Sequence, residues 1–117
     1  NAVAHNYVFA TSNDATPSII LRGKWVKQTG ISTITAHVRI WQQGGANGAA
    51  AKAEIFVGTA SGTVTGTTNQ TTPEALSFTI DVSSLTNGTA YDITIAIGNG
   101  NGNIRPCYLS MVSLIGS

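Results

Sequence analysis

Residues 32–41 read STITAHVRIW and alternate strictly between apolar and other side chains. The apolar positions are Ile34, Ala36, Val38 and Ile40, and the positions between them are Thr33, Thr35, His37, Arg39 and Trp41. Successive side chains of a strand point to opposite faces of a sheet, so this pattern predicts a half-buried β-strand. The apolar set is expected to face the core. His37, Arg39 and Trp41 are expected in a row on the other face, about 7 Å apart along the strand.

The same alternation, separated by turn residues, recurs through the rest of the chain. Further strands are predicted at 3–10, 18–28, 50–58, 76–82, 91–97 and 104–115, with at most a short one around Val64. Both phases of the last strand carry hydrophobic residues, so its register stays open. The Gly-rich runs 42–48 and 98–103 are predicted to be exposed loops. Seven or eight strands without a helix pattern, repeat or linker predict one all-β domain over 1–117, an antiparallel β-sandwich with jelly-roll topology.

The second predicted strand contains the other tryptophan. Trp25 shares its phase with Ile19 and Leu21, whereas Arg22 and Lys24 occupy the opposite phase. Trp25 is therefore predicted to lie in the core, in contrast to Trp41. A glycine in mid-strand, Gly23, suggests a bulge or a close approach of another backbone.

Composition narrows the classes of function. Charged residues make up 9% of the 117 residues, against about 25% in ordinary soluble domains. Thr, Ser, Asn, Gln and Gly must then supply the polar surface, which suits an exposed binding or structural protein, or one partly covered by neighbouring subunits. The net charge is +1, so the chain lacks the excess of basic residues that a nucleic-acid-binding protein uses to contact phosphates. No apolar run approaches the roughly 20 residues of a membrane span, so membrane insertion is not expected.

No catalytic or metal-binding motif stands out. The five carboxylates are Asp14, Glu54, Glu74, Asp81 and Asp92, and nothing in their placement favours the converging pair of a glycosidase. His5 and His37 have no Cys, Asp or Glu at ligand spacing. We therefore expect no enzyme activity, no metal and no cofactor. The lone Cys107 is expected to be a small buried hydrophobe. A disulfide-free chain that otherwise looks extracellular hints at assembly in a reducing compartment before release, which a phage component would satisfy.

The row of His37, Arg39 and Trp41 is the candidate ligand-binding site. A Trp face stacks on the C–H surface of a sugar, while Arg and His donate hydrogen bonds to its hydroxyls. Two other interpretations remain open. Trp41 could pack under the loop that follows it, or it could lie in a subunit interface, where Trp and Arg are enriched.

The last forty residues carry a resemblance to a known family. Residues 76–85 (LSFTIDVSSL), 91–97 (YDITIAI) and 108–115 (YLSMVSLI) resemble the C-terminal half of galactose-binding-like jelly-roll modules. Such modules occur as carbohydrate-binding modules and in phage tail fibres and tailspikes. Their final strand often contains an acidic pair, which Ser110 and Met111 replace here. That departure argues against the structural calcium that such modules often hold.

The resemblance and the composition together imply a function. The expected protein is a non-enzymatic carbohydrate- or receptor-binding module of a phage tail fibre or tailspike, located in the virion or outside the cell. Its expected partner is a cell-surface glycan, and a homotrimer is the expected assembly. The alternative is a virion structural protein, such as a capsid decoration protein or a fibre-tip trimer, that binds no sugar.

Overall fold

The computed structural model describes residues 2–12, 18–43, 50–99 and 106–117, and eight β-strands account for most of them. They are β1 (Ala2–Ser12), β2 (Ser18–Val26), β3 (Thr33–Gln42), β4 (Ala51–Val57), β5 (Ala60–Thr65), β6 (Glu74–Asp81), β7 (Ala90–Asn99) and β8 (Cys107–Gly116). These ranges contain no helix, and hence no helical segment that could cross a membrane. The predicted all-β class is confirmed.

The strands form two antiparallel sheets of four strands each. The first sheet has the order β1-β8-β3-β6 and the second the order β2-β7-β4-β5. Every connection except the β4–β5 hairpin passes from one sheet to the other. This is the eight-stranded jelly roll that the sequence predicted. In the first sheet β3 and β8 are the two central strands, and β1, the first strand, pairs with β8, the last.

The core lies between the two sheets and follows the predicted alternation. On β3, each of the four apolar residues is at most 1% exposed: Ile34, Ala36, Val38 and Ile40. The facing layer of the second sheet contributes Ala53, Ile55, Val57, Ile93, Ile95 and Ile97. Trp25, 8% exposed, belongs to the same cluster, which confirms its prediction as a core residue. Each such large apolar side chain contributes about 1.5–3 kcal/mol by leaving water.

A bulge in β8 accounts for the two apolar phases of the last strand. Ile40 of β3 pairs with Leu109, but the preceding residue Arg39 pairs with Met111, so Ser110 is an extra residue on β8. The bulge exchanges the two faces of the strand at that point. Cys107 and Leu109 are therefore buried before it, and Val112 and Leu114 after it.

A similar irregularity corrects the prediction for β2. Leu21 pairs with Ile95 and Ile19 with Ala96, so the strand has one extra residue between them. Ile19 thus does not share the phase of Trp25, contrary to the expectation from the sequence. The bulge suggested at Gly23 is also wrong, because Gly23 pairs regularly with Ile93. A Cβ built on Gly23 meets no atom of the described residues within 4 Å, so no backbone approaches it closely either.

The fifth strand is longer than the short segment expected around Val64. It follows β4 through the two-residue turn Gly58-Thr59, in which Gly58 has a φ of +59°. At Gly62, β5 lies against β6 of the other sheet, and a Cβ there would be 2.8 Å from the carbonyl oxygen of Thr79. This contact closes one edge of the sandwich.

Two of the predicted loops begin later than expected. β3 includes Gln42, which is fully buried, and β7 continues through Gly98 and Asn99. Both ladders extend because their residues still have partners: Gln42 pairs with Cys107, and Gly98 with Lys52. The remainder of the two Gly-rich runs, 44–48 and 100–103, lies outside the described residues, as do Ile104 and Arg105 of the predicted last strand.

Candidate functional site

The predicted row lies on the outer face of the first sheet, on β3, one of its two central strands. His37 and Arg39 are exposed and Trp41 is half-buried, while the residues between them face the core. On the neighbouring strand β6, the outward side chains beside this row are small and exposed: Ala75, Ser77 and Thr79. None of these described β6 side chains is large enough to cover the row.

Trp41 is not isolated, because it stacks on an aromatic residue of β8. Its ring centroid lies 5.2 Å from that of Tyr108, with 24° between the ring planes, and the two residues are cross-strand partners. The Tyr108 hydroxyl donates a 3.5 Å hydrogen bond to Oε1 of Gln43. The backbone N–H of Gln43 donates a hydrogen bond to the backbone carbonyl of Pro106 at 2.8 Å. We call Trp41 and Tyr108 the aromatic platform.

Tyr108 belongs to the candidate site by its contact with Trp41, and the sequence pattern did not predict it. Its proximity to Trp41 depends on the register of β8 against β3, which the Ser110 bulge sets. The sequence feature that could have indicated Tyr108 is an aromatic residue near the start of the last strand, whose two phases are both apolar. The half-burial of Trp41 is also explained, because the Tyr108 ring covers part of it. Stacked aromatic pairs contribute about 0.5–1.5 kcal/mol beyond their buried area.

Among the described residues, Arg39 gives the row a positive charge and is not paired with a carboxylate. The salt bridge found among the described residues joins Lys24 to Asp92 at 3.3 Å, on the outer face of the second sheet, and none involves Arg39. Glu74 starts β6 near the row but shares the phase of Leu76, which points to the other face of the strand. Its carboxylate accepts hydrogen bonds from the amide and hydroxyl of Thr67, at 2.8 and 2.6 Å.

The remaining carboxylate of the first sheet lies at the opposite end of the strands. Asp81 pairs with Thr33, about 20 Å along β3 from Arg39 at the usual strand rise. Hydrogen bonds from Ser83, including one from its amide at 2.9 Å, hold the pKa of Asp81 below its usual range. Asp81 therefore stabilises a turn, and it stays ionised far from the row.

The strand register brings β1 residues into the same rows. His5 and His37 both pair with Ser113 of β8, so the two histidines occupy one cross-strand row, two strands apart. Tyr7 and Arg39 both pair with Met111 in the same way. No three His, Cys, Asp or Glu residues form a metal-binding group in the described part of the chain.

The second sheet carries a different surface feature. An open depression of about 330 Å³ lies along β2 and β7 and is lined by Arg22, Gly23, Lys24, Asp92, Ile93 and Thr94. The Lys24–Asp92 ion pair lies at this depression, and its side chains are 78% and 73% exposed. An exposed pair of this kind contributes at most about 1 kcal/mol. The depression and the aromatic platform are on different sheets.

Two buried side chains with reactive groups, Cys107 and Lys27, have structural roles. Burial raises the pKa of the Cys107 thiol to about 11, so it stays protonated and is a poor nucleophile. Lys27, after β2, is buried and donates a hydrogen bond from Nζ to Oδ1 of Asn87 at 2.9 Å. The amide of Gly88 donates to the carbonyl of Lys27, which further joins these two turns.

Comparisons with known proteins identify the fold. No family model and no curated protein sequence matches the chain. Among solved structures it is similar to the C-terminal domain of EclA, described as a sugar-binding protein, with a TM-score of 0.56 and 13% identity. That match covers 97% of this chain and 81% of the other. It is also similar to an arabinose-bound α-L-arabinofuranosidase, MgGH51, with a TM-score of 0.51 and 12% identity over 99% of this chain. The chain corresponds to only 23% of that enzyme. At such low identity these matches establish a shared β-sandwich fold.

Proposed function

We propose that this domain binds a glycan on the outer face of the first sheet, with the sugar stacked on the aromatic platform. The observation that carries the proposal is the stacked pair of Trp41 and Tyr108 beside the exposed side chains of Arg39 and His37. An aromatic face for C–H contacts and polar donors at its side are what sugar recognition needs. The sugar-binding description of the EclA domain, a protein with a similar fold, supports the same class of ligand.

The decisive experiment is binding of the whole chain to a glycan array, followed by a comparison of two aromatic variants. Trp41→Ala should weaken binding by roughly two- to tenfold, since stacking on an aromatic ring contributes about 0.5–1.5 kcal/mol beyond the buried area. Phe56→Ala removes a half-buried aromatic from the outer face of the second sheet and is the matched control. It should bind as the wild type does. Equal binding by wild type and Trp41→Ala would show that the proposed site is wrong. An array to which no glycan binds would show that the proposed function is wrong.

The domain is proposed to bind its glycan without cleaving it. Of the four described carboxylates, Glu54 and Asp92 belong to strands of the second sheet, Glu74 is hydrogen-bonded to Thr67, and Asp81 lies at the far end of the strands. None of the four is directed toward the platform as a cleaving pair would be. Incubation with a bound glycan should therefore release no new reducing ends. Release that depends on a carboxylate would reassign the domain as a glycosidase.

The biological setting we propose is a phage tail fibre or tailspike, in which a trimer of this domain recognises a glycan of the bacterial surface. The low share of charged residues and the single buried cysteine support it. The jelly roll also supports it, because lectin domains and viral capsid proteins use this fold. Addition of the purified domain should then block adsorption of a phage that carries it, and block it less with Trp41→Ala.

A virion structural protein without sugar binding is the second candidate. The observation that favours it is the run of small, exposed side chains on β6, which is an edge strand of the first sheet and would suit packing between copies. Light scattering of the purified chain tests this candidate. A trimer that binds no glycan is its expected result, and a strict monomer at micromolar concentration would argue against it.

A further inference from the structure

We infer that the sugar bound at this site carries a carboxylate, as a uronic or sialic acid does. The inference rests on the proposed function and adds the chemical class of its ligand. Its structural basis is the position of Arg39, an exposed arginine that has no carboxylate partner among the described residues and lies two residues before Trp41 on β3.

Arg39 is available to an incoming anion. Its side chain is exposed, and its outward neighbour on β6 is Ala75, which offers it no polar group. The nearest carboxylate along that strand, Glu74, points away and is held by Thr67. A guanidinium presents parallel N–H donors that match the two oxygens of a carboxylate, so an acidic sugar satisfies Arg39 in a way that a neutral sugar does not.

The spacing allows one ligand to use both groups. Arg39 and Trp41 are about 7 Å apart along the strand and point to the same face. A pyranose ring stacked on Trp41 can therefore direct its carboxylate toward Arg39. His37, one step further along the row, extends the polar side of the site. Asp81, the outward acid of this face, is about 20 Å away and does not repel the ligand.

The test compares acidic and neutral glycans of matched structure. The whole chain is applied to an array that carries uronic and sialic acid glycans together with their carboxyl-reduced or methyl-esterified forms. We expect binding to favour the acidic member of a pair by at least about tenfold, which equals about 1.4 kcal/mol. We also expect this preference to weaken as salt rises from 50 to 300 mM.

Two charge variants separate a specific contact from general attraction. Arg39→Gln should abolish the preference for the acidic form, while Arg39→Lys should retain part of it. Arg22→Gln makes the same charge change at an exposed arginine of the second sheet and should leave the preference unchanged. Thermal melts of all three variants check that they are folded.

Each outcome of this experiment decides a separate claim. If neutral and acidic forms bind equally, or Arg39→Gln keeps the preference, the inference about the carboxylate is wrong, and glycan binding at the platform stands. If Arg22→Gln loses the preference as Arg39→Gln does, net charge rather than the site explains it, and the inference is again wrong. If no glycan binds, the proposed function fails as well.

Discussion

The two tryptophans show how the same residue type takes different roles on the two phases of a sheet. Trp25 belongs to the core, and Trp41 lies on the outer face against Tyr108. Trp25→Ala should lower the free energy of unfolding by about 3–5 kcal/mol. Trp41→Ala should cost about 1 kcal/mol, because it mainly loses the ring stacking. Thermal melts followed by circular dichroism compare the two variants. An earlier melt for Trp41→Ala would contradict the observed burial.

Cys107 gives a second test at the level of a single side chain. Because the thiol is buried and its pKa is raised to about 11, a disulfide reagent at pH 8 should react with it only after the protein unfolds. The protonated thiol stabilises the fold below the ordinary thiol pKa of about 8.5, and this contribution is lost as the pH rises toward 11.

Denaturant titrations between pH 8 and 11 measure how the stability contributed by the Cys107 thiol depends on pH. The wild type should lose more stability over this interval than Cys107→Ala, which has no thiol to ionise. Equal slopes for the two proteins, or a native thiol that reacts as fast as the unfolded one, would argue against a buried Cys107.

At the level of strands, the contact between β5 and β6 depends on a glycine. A Cβ at Gly62 would lie 2.8 Å from the Thr79 carbonyl oxygen and 2.9 Å from side-chain carbons of Ile80 and Phe78. Backbone cannot yield as a flexible side chain does, so Gly62→Ala should destabilise the protein by about 1–3 kcal/mol. Gly23→Ala, at a position with open space, should be neutral or stabilising by up to about 1 kcal/mol. Urea unfolding of both variants measures the difference, and equal stabilities would mean that β5 and β6 are further apart.

Most of the fold could be predicted from the alternation of apolar and polar residues along the strands. The prediction of strand faces failed at the β-bulges. β3 has no irregularity on its β6 side, so its inward and outward faces could be read from the sequence. In β8 the extra Ser110 exchanges the faces midway, and a single periodicity cannot describe such a strand. β5 was underestimated because Val64 is its one large hydrophobic side chain among small and polar residues, and a single such residue shows no apolar period. The Tyr108 half of the aromatic platform was not predicted either, because the bulge at Ser110 sets the register that places Tyr108 opposite Trp41.

On the scale of the whole molecule, β8 holds the first sheet together. It is hydrogen-bonded to β1 on one side and to β3 on the other, so the sheet is incomplete until the last strand is in place. Deletion of residues 107–117 should therefore abolish cooperative thermal unfolding. Refolding of the full chain should take milliseconds to seconds, as is typical of sheets that pair distant segments. Circular dichroism melts and stopped-flow fluorescence measure both, and a sigmoidal melt from the shortened chain would contradict this role of β8.

The pairing of the first and last strands also sets the direction in which the domain presents its platform. Ala2 pairs with Ile115, and Gly116 pairs with Ile34, at one end of the first sheet. Trp41 lies seven residues beyond Ile34 along β3, about 23 Å away toward the other end. A tag or linker joined near Ala2 or Ser117 therefore tethers the domain by the end remote from Trp41 and Tyr108. A sensor surface coated through either attachment would hold every copy with these rings facing the solution.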